Sequence, residues 1–174
     1  MRRFFLMGLV LLLALRVEPA PAQAQEDSSP TPPAPVSTLN IWEKYVKAQM
    51  DYRDQIYKTQ VRAAPRFKSF LTLMRDWSMA NIKRADTRYR FLWDFNPYRL
   101  PEANKVEEMG RFPWTENDDK ALSLSDPEYK KLLEQLQKLE EKKKGTDLPK
   151  TMKQVGAILK EKPYVTEELS AARK

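Results

Sequence analysis

The sequence predicts an all-α protein, with a long antiparallel helical hairpin, shorter C-terminal helices packed on it and a disordered N-terminal linker. Two features of composition favour this class: only four of 174 residues are glycine, and 32% are charged while 41% are hydrophobic. Apolar residues also recur at helical spacing through most of the chain after residue 38. In addition, Pro65, Pro127 and Pro163 each lie beside a predicted helix boundary, where proline is tolerated.

The sequence lacks the residues that most enzyme chemistry needs. It contains no histidine and no cysteine, which excludes Ser-His-Asp and Cys-His nucleophile systems, the usual zinc sites and any disulfide. Three groups of neighbouring acids occur, at 107–108, 116–119 and 140–141, but their spacing is not that of a paired acid and base or of a calcium loop. We therefore expect no catalytic residues, no cofactor and no metal site.

Residues 1–24 have the pattern of a cleavable export signal. Arg2 and Arg3 precede an apolar run from Phe4 to Leu15, and a small-x-small pattern ends at Ala24. The apolar run is shorter than the about 20 residues needed to span a bilayer. The pattern predicts export to the periplasm or beyond after cleavage near Ala24. The general secretory route and the twin-arginine route both remain open, since Arg2-Arg3 also fits the second.

Residues 25–36 (QEDSSPTPPAPV) are rich in proline and serine and predict a disordered linker. The predicted helical domain covers residues 37–162, and Ser37, Thr38 and Asn40 are acceptable N-caps for its first helix. That helix is predicted at 38–62. Its apolar stripe admits three polar side chains, and the members of the stripe are Leu39, Trp42, Tyr45, Val46, Gln49, Met50, Arg53, Ile56, Tyr57, Gln60 and Val61.

A second amphipathic helix is predicted at 66–95. Either the chain reverses at residues 62–65 to form an antiparallel hairpin, which we favour, or Pro65 only kinks one very long helix. In the hairpin, facing residues should have numbers that sum to about 127, which pairs Trp42 with Ala85 and Gln49 with Ser78. The second helix should also outrun the first by one or two turns. Later residues would then have to cover its aromatic end, which comprises Tyr89, Phe91, Leu92, Trp93 and Phe95.

The remaining chain is predicted to supply that cover and three further helices. Residues 96–124 are expected to be irregular apart from a short helix at 101–109, with Phe112 and Trp114 as apolar cover. A capping pattern at Ser125–Glu128 predicts a helix at 126–144 that ends at Gly145. A last helix is predicted at 148–161, followed at 163–174 by a tail that is either a frayed helix or disordered.

The end of the second helix is the candidate partner-binding region, because basic and aromatic side chains alternate there. The alternative is a secondary core that seals the end of the hairpin. The candidate binding residues are Arg84, Arg88, Arg90, Trp93, Tyr98 and Arg99.

Charge and composition together favour a binding protein of the cell envelope. The chain has a net charge of +7, and residues 37–95 hold 12 Lys or Arg against 6 Asp or Glu. We expect an exported, non-enzymatic helical protein that binds another envelope protein as an adaptor or assembly accessory. The alternatives are a periplasmic holdase-like chaperone and a binder of anionic lipid or polysaccharide surfaces. Nucleic acid is not expected as a partner after export, and the polar residues of the hairpin stripe are compatible with an oligomer.

Overall fold

A computed structural model describes residues 36–101 and 111–171 of the chain, and all regular elements in these ranges are helical. The predicted all-α class is therefore confirmed. The predicted export signal, the predicted linker apart from Val36, and the predicted helix at 101–109 apart from Pro101 lie outside the described residues; Val36 is helical and not part of a linker. The α-helices are α1 (Val36–Ala63), α2 (Lys68–Phe95), α3 (Glu116–Ser125), α4 (Pro127–Lys144), α5 (Leu148–Lys160) and α6 (Pro163–Ala171).

Contacts between α1 and α2 show that the chain reverses near Pro65 instead of continuing as a kinked helix. The reversal uses Ala64 and a 3₁₀ turn, Pro65–Phe67. Near the turn, the Tyr57 and Thr72 hydroxyls are hydrogen-bonded at 3.0 Å, and at the far end Trp42 Nε1 donates to Asp86 Oδ1 at 2.9 Å. Early residues of α1 thus meet late residues of α2, which is an antiparallel arrangement.

The register differs slightly from the predicted one. Three bonded pairs, Trp42–Asp86, Asp54–Arg75 and Tyr57–Thr72, have residue numbers that sum to 128 or 129 instead of 127, because the 3₁₀ turn occupies three residues. Ala85 does pack on the cluster that contains Trp42. Gln49 and Ser78 are both half-buried, but no hydrogen bond joins them within the described ranges.

The prediction that the second helix outruns the first is wrong, because both helices are 28 residues long. α1 begins at Val36, earlier than predicted, and α2 begins only at Lys68. As a result α1 itself covers much of the aromatic end of α2. Tyr89, which was expected to lack a partner on the first helix, is fully buried and stacks on Trp42 with ring centroids 4.1 Å apart.

α2 is the central helix, since α4 packs on a second side of it. Ala80 of α2 forms a buried cluster with Leu136 and Leu139 of α4, and Leu73 and Trp77 pack against this cluster. Asp126 is the N-cap of α4 and accepts hydrogen bonds from the backbone N–H groups of residues 128 and 129. The cap is therefore Asp126 and not Ser125, which belongs to α3.

The two C-terminal helices close the turn end of the hairpin. Val155 of α5 is buried with Phe70 and Leu71 of α2. Residues 163–171 form α6, so of the two predicted alternatives the helix is present and the disordered tail is wrong for these residues; Val165 of α6 is 3% exposed and packs more firmly than a frayed helix would. Glu168 of α6 accepts a hydrogen bond of 2.8 Å from the buried hydroxyl of Thr59 on α1. This contact ties the C-terminal helix to the start of the turn.

The prediction that residues 96–124 are irregular is wrong for 116–125, which form α3. Thr115 and Asp118 form a capping box that begins this helix. The Thr115 hydroxyl accepts from the Asp118 N–H, and the Asp118 carboxylate accepts from the Thr115 N–H at 2.8 Å. No helix within the described ranges has an apolar stretch long enough to cross a membrane.

Candidate functional site at the end of the second helix

Two groups of aromatic rings meet at the C-terminal end of α2. In the first group, Trp42 and Tyr89 are stacked, and Phe112 contacts both rings edge-on at centroid distances of 6.2 and 5.9 Å. Trp42 is 1% exposed and Tyr89 is fully buried, so this group is a core. The alternative interpretation, a secondary core at this end, therefore fits Phe112, which packs on the buried Trp42 and Tyr89 of the hairpin.

The second aromatic group extends from that core to the surface. Trp114 contacts Phe112 and Phe91 edge-on at 6.4 and 5.8 Å, and Phe91 contacts Phe95 at 5.0 Å. Phe95 ends the series and is 72% exposed. Tyr98, in the 3₁₀ turn that follows α2, is 67% exposed. These two rings are the exposed part of the aromatic region.

The segment after α2 is held to the bundle by a polar network centred on Asp119 of α3. Arg88 of α2 donates two hydrogen bonds of 2.8 Å from Nη2 to the Asp119 carboxylate, and its Nε donates to the Tyr129 hydroxyl at 2.8 Å. Trp114 Nε1 donates to Asp119 Oδ1 at 2.8 Å, and the Tyr129 hydroxyl also donates to this oxygen. The Arg88 guanidinium lies over the Trp114 ring at 4.9 Å. The network joins α2, α3 and α4.

The pKa values in this network follow from burial and from its hydrogen bonds. Burial alone would raise the pKa of Asp119, but the bonds from Tyr129 and Trp114 and the charge of Arg88 outweigh it, so this pKa is lowered. Burial, together with the bond to Asp119, raises the pKa of Tyr129 to about 12. Asp119 is therefore an anion and Tyr129 a neutral donor at neutral pH.

A second ion pair fixes the start of α3. Arg99 donates from Nη1 and Nη2 to the two oxygens of Asp118 at 2.9 and 2.8 Å, and also to the carbonyl of Pro113 at 2.7 Å. The hydrogen bonds from Arg99, together with those from Thr115, lower the pKa of Asp118 to about 2. The acids at 116–119 were expected in an irregular segment; the structure places Asp118 and Asp119 in ion pairs on a helix.

The pKa of Asp118 predicts a defined acid sensitivity. Because this pKa is depressed in the folded state, the stabilisation is present above the unfolded value of 3.8 and is lost as the pH falls towards 2. We expect the free energy of unfolding to fall between pH 4 and pH 2 more steeply in the wild type than in Asp118→Asn. Chemical denaturation at several pH values measures these slopes. The matched control is Glu116→Gln, an exposed acid of the same helix, which should keep the wild-type slope; equal slopes for all three proteins would contradict the assignment.

The structure does not bring the six candidate binding residues together as one exposed surface. Arg88 and Arg99 are engaged in the two ion pairs above, and Arg90 pairs with Asp86 and Glu43. Trp93 is half-buried against the Trp42 cluster. Arg84 is half-buried and donates to Asn81 Oδ1 at 2.8 Å. Tyr98 is the single member of the six whose side chain is mostly exposed.

The sequence did not reveal that Asp119 and Tyr129 are the partners of Arg88. Asp119 and Tyr129 are far from Arg88 in the chain, so spacing alone could not pair them. The capping pattern Thr115-x-x-Asp118 was a readable signal for α3. Among the described residues, no group of three acidic side chains is placed to hold a metal ion.

Comparison of the chain with protein-family models, with curated proteins and with solved structures gives no match.

Proposed function

We propose that this chain is an exported, non-enzymatic helical protein that binds another protein of the cell envelope, as an adaptor or assembly accessory. The observation that carries the proposal is the exposure of Phe95 and Tyr98, 72% and 67%, beside aromatic rings that are packed. Large aromatic side chains are enriched in the centres of protein interfaces, where they bury much area with few rotatable bonds. Export is supported by the signal pattern of residues 1–24.

The backbone that carries these two rings is held firmly, which favours binding. Trp42 packs on the last turns of α2, and the Arg99–Asp118 pair anchors the residue that follows Tyr98. A surface that is already ordered loses less conformational entropy when a partner binds. The exposed helix faces, by contrast, are mostly polar, with Leu124 of α3 as the one other large hydrophobic side chain that is strongly exposed in the described ranges.

The alternative of binding an anionic lipid or polysaccharide has less support. It depended on a cluster of free arginines at the end of α2. Arg88, Arg90 and Arg99 instead face carboxylates of this chain, which neutralise their charge locally. We therefore assign the region to protein recognition through aromatic contacts.

Affinity capture with matched variants tests this proposal. Tagged wild-type protein and the double variant Phe95→Ala/Tyr98→Ala are expressed in the native host and captured with their bound proteins from the envelope fraction. We expect the principal captured protein to fall at least about tenfold in the double variant, the loss produced by about 1.4 kcal/mol of binding free energy.

Leu124→Ala is the matched control, because Leu124 is 88% exposed and lies on α3. This variant removes exposed apolar area away from the aromatic pair and should retain the captured protein. The proposal fails if the double variant captures as much as the wild type, or if Leu124→Ala loses the protein equally. Circular dichroism should show the same helix content for all three proteins.

A further inference from the structure

Arg84 occupies an unusual position between two contacts of α2 with α4. Towards the end of α2, Arg88 donates to Tyr129 of α4, and towards its start, Trp77 donates to Glu140 of α4. Arg84 lies between these two points and is half-buried. A guanidinium at such an interface loses part of its hydration, and this loss is costly unless an anion compensates it.

Arg84 differs from the neighbouring arginines in having no directly paired carboxylate within the described ranges, although the more distant Asp119 and Glu140 carboxylates attract it. Each of Arg88, Arg90 and Arg99 has a carboxylate of this chain within 3.1 Å. No carboxylate lies within salt-bridge distance of Arg84 in residues 36–101 and 111–171, and its hydrogen bond within these ranges goes to the neutral amide of Asn81. Burial, and then repulsion from Arg88, lower the pKa of Arg84, and the attraction of the more distant Asp119 and Glu140 carboxylates does not offset this.

The surroundings of Arg84 hold its side chain in place. Asn81 Nδ2 donates to the carbonyl of Trp77 at 2.9 Å, which directs Asn81 Oδ1 towards the Arg84 guanidinium. That oxygen accepts from Arg84 Nη2 at 2.8 Å. An arginine has five N–H donors, so donors remain for a planar acceptor, and a carboxylate fits two of them at once.

We propose that Arg84 is a recognition point for a carboxylate of the bound protein, an aspartate or glutamate side chain in an acidic segment. The inference rests on the proposed function, since it names the chemistry of the same partner. Lys83 and Arg84 are adjacent basic residues with no carboxylate in salt-bridge distance within the described ranges, and their charge is complementary to such a segment. Replacing Arg84 by methionine breaks no direct ion pair within the described ranges and removes one hydrogen bond, to the Asn81 amide, so we expect the free protein still to fold.

The test uses the full chain and a fluorescently labelled hexaglutamate peptide as the acidic probe, with hexaglutamine as the neutral probe. At low ionic strength we expect hexaglutamate to bind and Arg84→Met to weaken this binding at least about tenfold. The matched control is Lys83→Met, which removes one positive charge from the neighbouring exposed residue and should change the affinity less than twofold. Arg84→Lys keeps the positive charge but loses the planar guanidinium. Its affinity for hexaglutamate should lie between those of Arg84→Met and Lys83→Met.

Absence of hexaglutamate binding to the wild type, or equal weakening by Arg84→Met and Lys83→Met, would overturn the inference. If Arg84→Met does not fold, the hexaglutamate affinities of Arg84→Lys and Lys83→Met are compared instead. Equal affinities of these two variants would overturn the inference. Phe95→Ala/Tyr98→Ala separates this inference from the proposed function. Suppose that Phe95→Ala/Tyr98→Ala still captures the envelope protein, and that adding Arg84→Met to it weakens hexaglutamate binding. The aromatic proposal then fails while the carboxylate site stands.

Discussion

Replacing Trp42 by alanine is expected to lower the free energy of unfolding by about 3–5 kcal/mol, the usual cost of removing a large buried aromatic side chain. Trp42 is 1% exposed, stacks on Tyr89 with centroids 4.1 Å apart and donates from Nε1 to Asp86. The substitution therefore leaves a large cavity between α1 and α2 and removes a hydrogen bond. Chemical denaturation followed by far-UV circular dichroism measures the loss.

Two further substitutions divide this effect into its parts. Trp42→Phe keeps an aromatic ring but loses the bond to Asp86, so we expect about 1–2 kcal/mol of destabilisation. Lys47→Ala, on the exposed side of the same helix, should change the stability by less than about 0.5 kcal/mol. A loss below about 1 kcal/mol for Trp42→Ala would mean that the two helices do not pack as described.

Replacing Asp119 by leucine is expected to cost about 2–4 kcal/mol, because it leaves three donors without their common acceptor. The Arg88 side chain is only 18% exposed and loses the carboxylate that neutralises it, while Trp114 and Tyr129 lose hydrogen bonds to the same group. The segment that carries Trp114 should then detach from α2. Denaturation experiments give the stability, and limited proteolysis near residue 114 reports the detachment.

A double-mutant cycle isolates the Arg88–Asp119 contribution. The cycle uses Arg88→Met, Asp119→Leu and the double variant, and we expect a coupling free energy of about 1–3 kcal/mol. The double variant should therefore lose less unfolding free energy than the two single variants together. The Glu43–Arg90 pair is the matched control, since both side chains are nearly half exposed, and its coupling should stay below about 1 kcal/mol. Similar coupling in the two cycles would show that the network does not hold α3.

The hairpin could be predicted from the sequence because its signals are local. Helical spacing of apolar residues defines α1 and α2, and Pro65 marks the break between them. The register could not be obtained to the residue, because it depends on the form of the turn, here a 3₁₀ turn at Pro65–Phe67. The lengths of the helices depend on their first turns, where the apolar pattern is weak.

The candidate site could be predicted in location but not in composition. Basic and aromatic residues do alternate at the end of α2, yet their roles depend on residues far along the chain. Arg88 is neutralised by Asp119, 31 positions away, and no local pattern indicates that pairing. Phe91 and Phe95 are one helical turn apart and look equivalent in the sequence. They differ because Trp114 packs on Phe91, whereas Phe95 remains exposed.

Site-specific photo-crosslinking tests the central claim, recognition of an envelope protein through Phe95 and Tyr98, most directly. A benzophenone amino acid is placed at position 98 or, as the control, at position 124, and the cells are irradiated before the envelope is solubilised. The proposal predicts one dominant crosslinked protein from position 98 that is absent from position 124 and is the protein captured by affinity. No crosslink at position 98, or the same products from both positions, would contradict it.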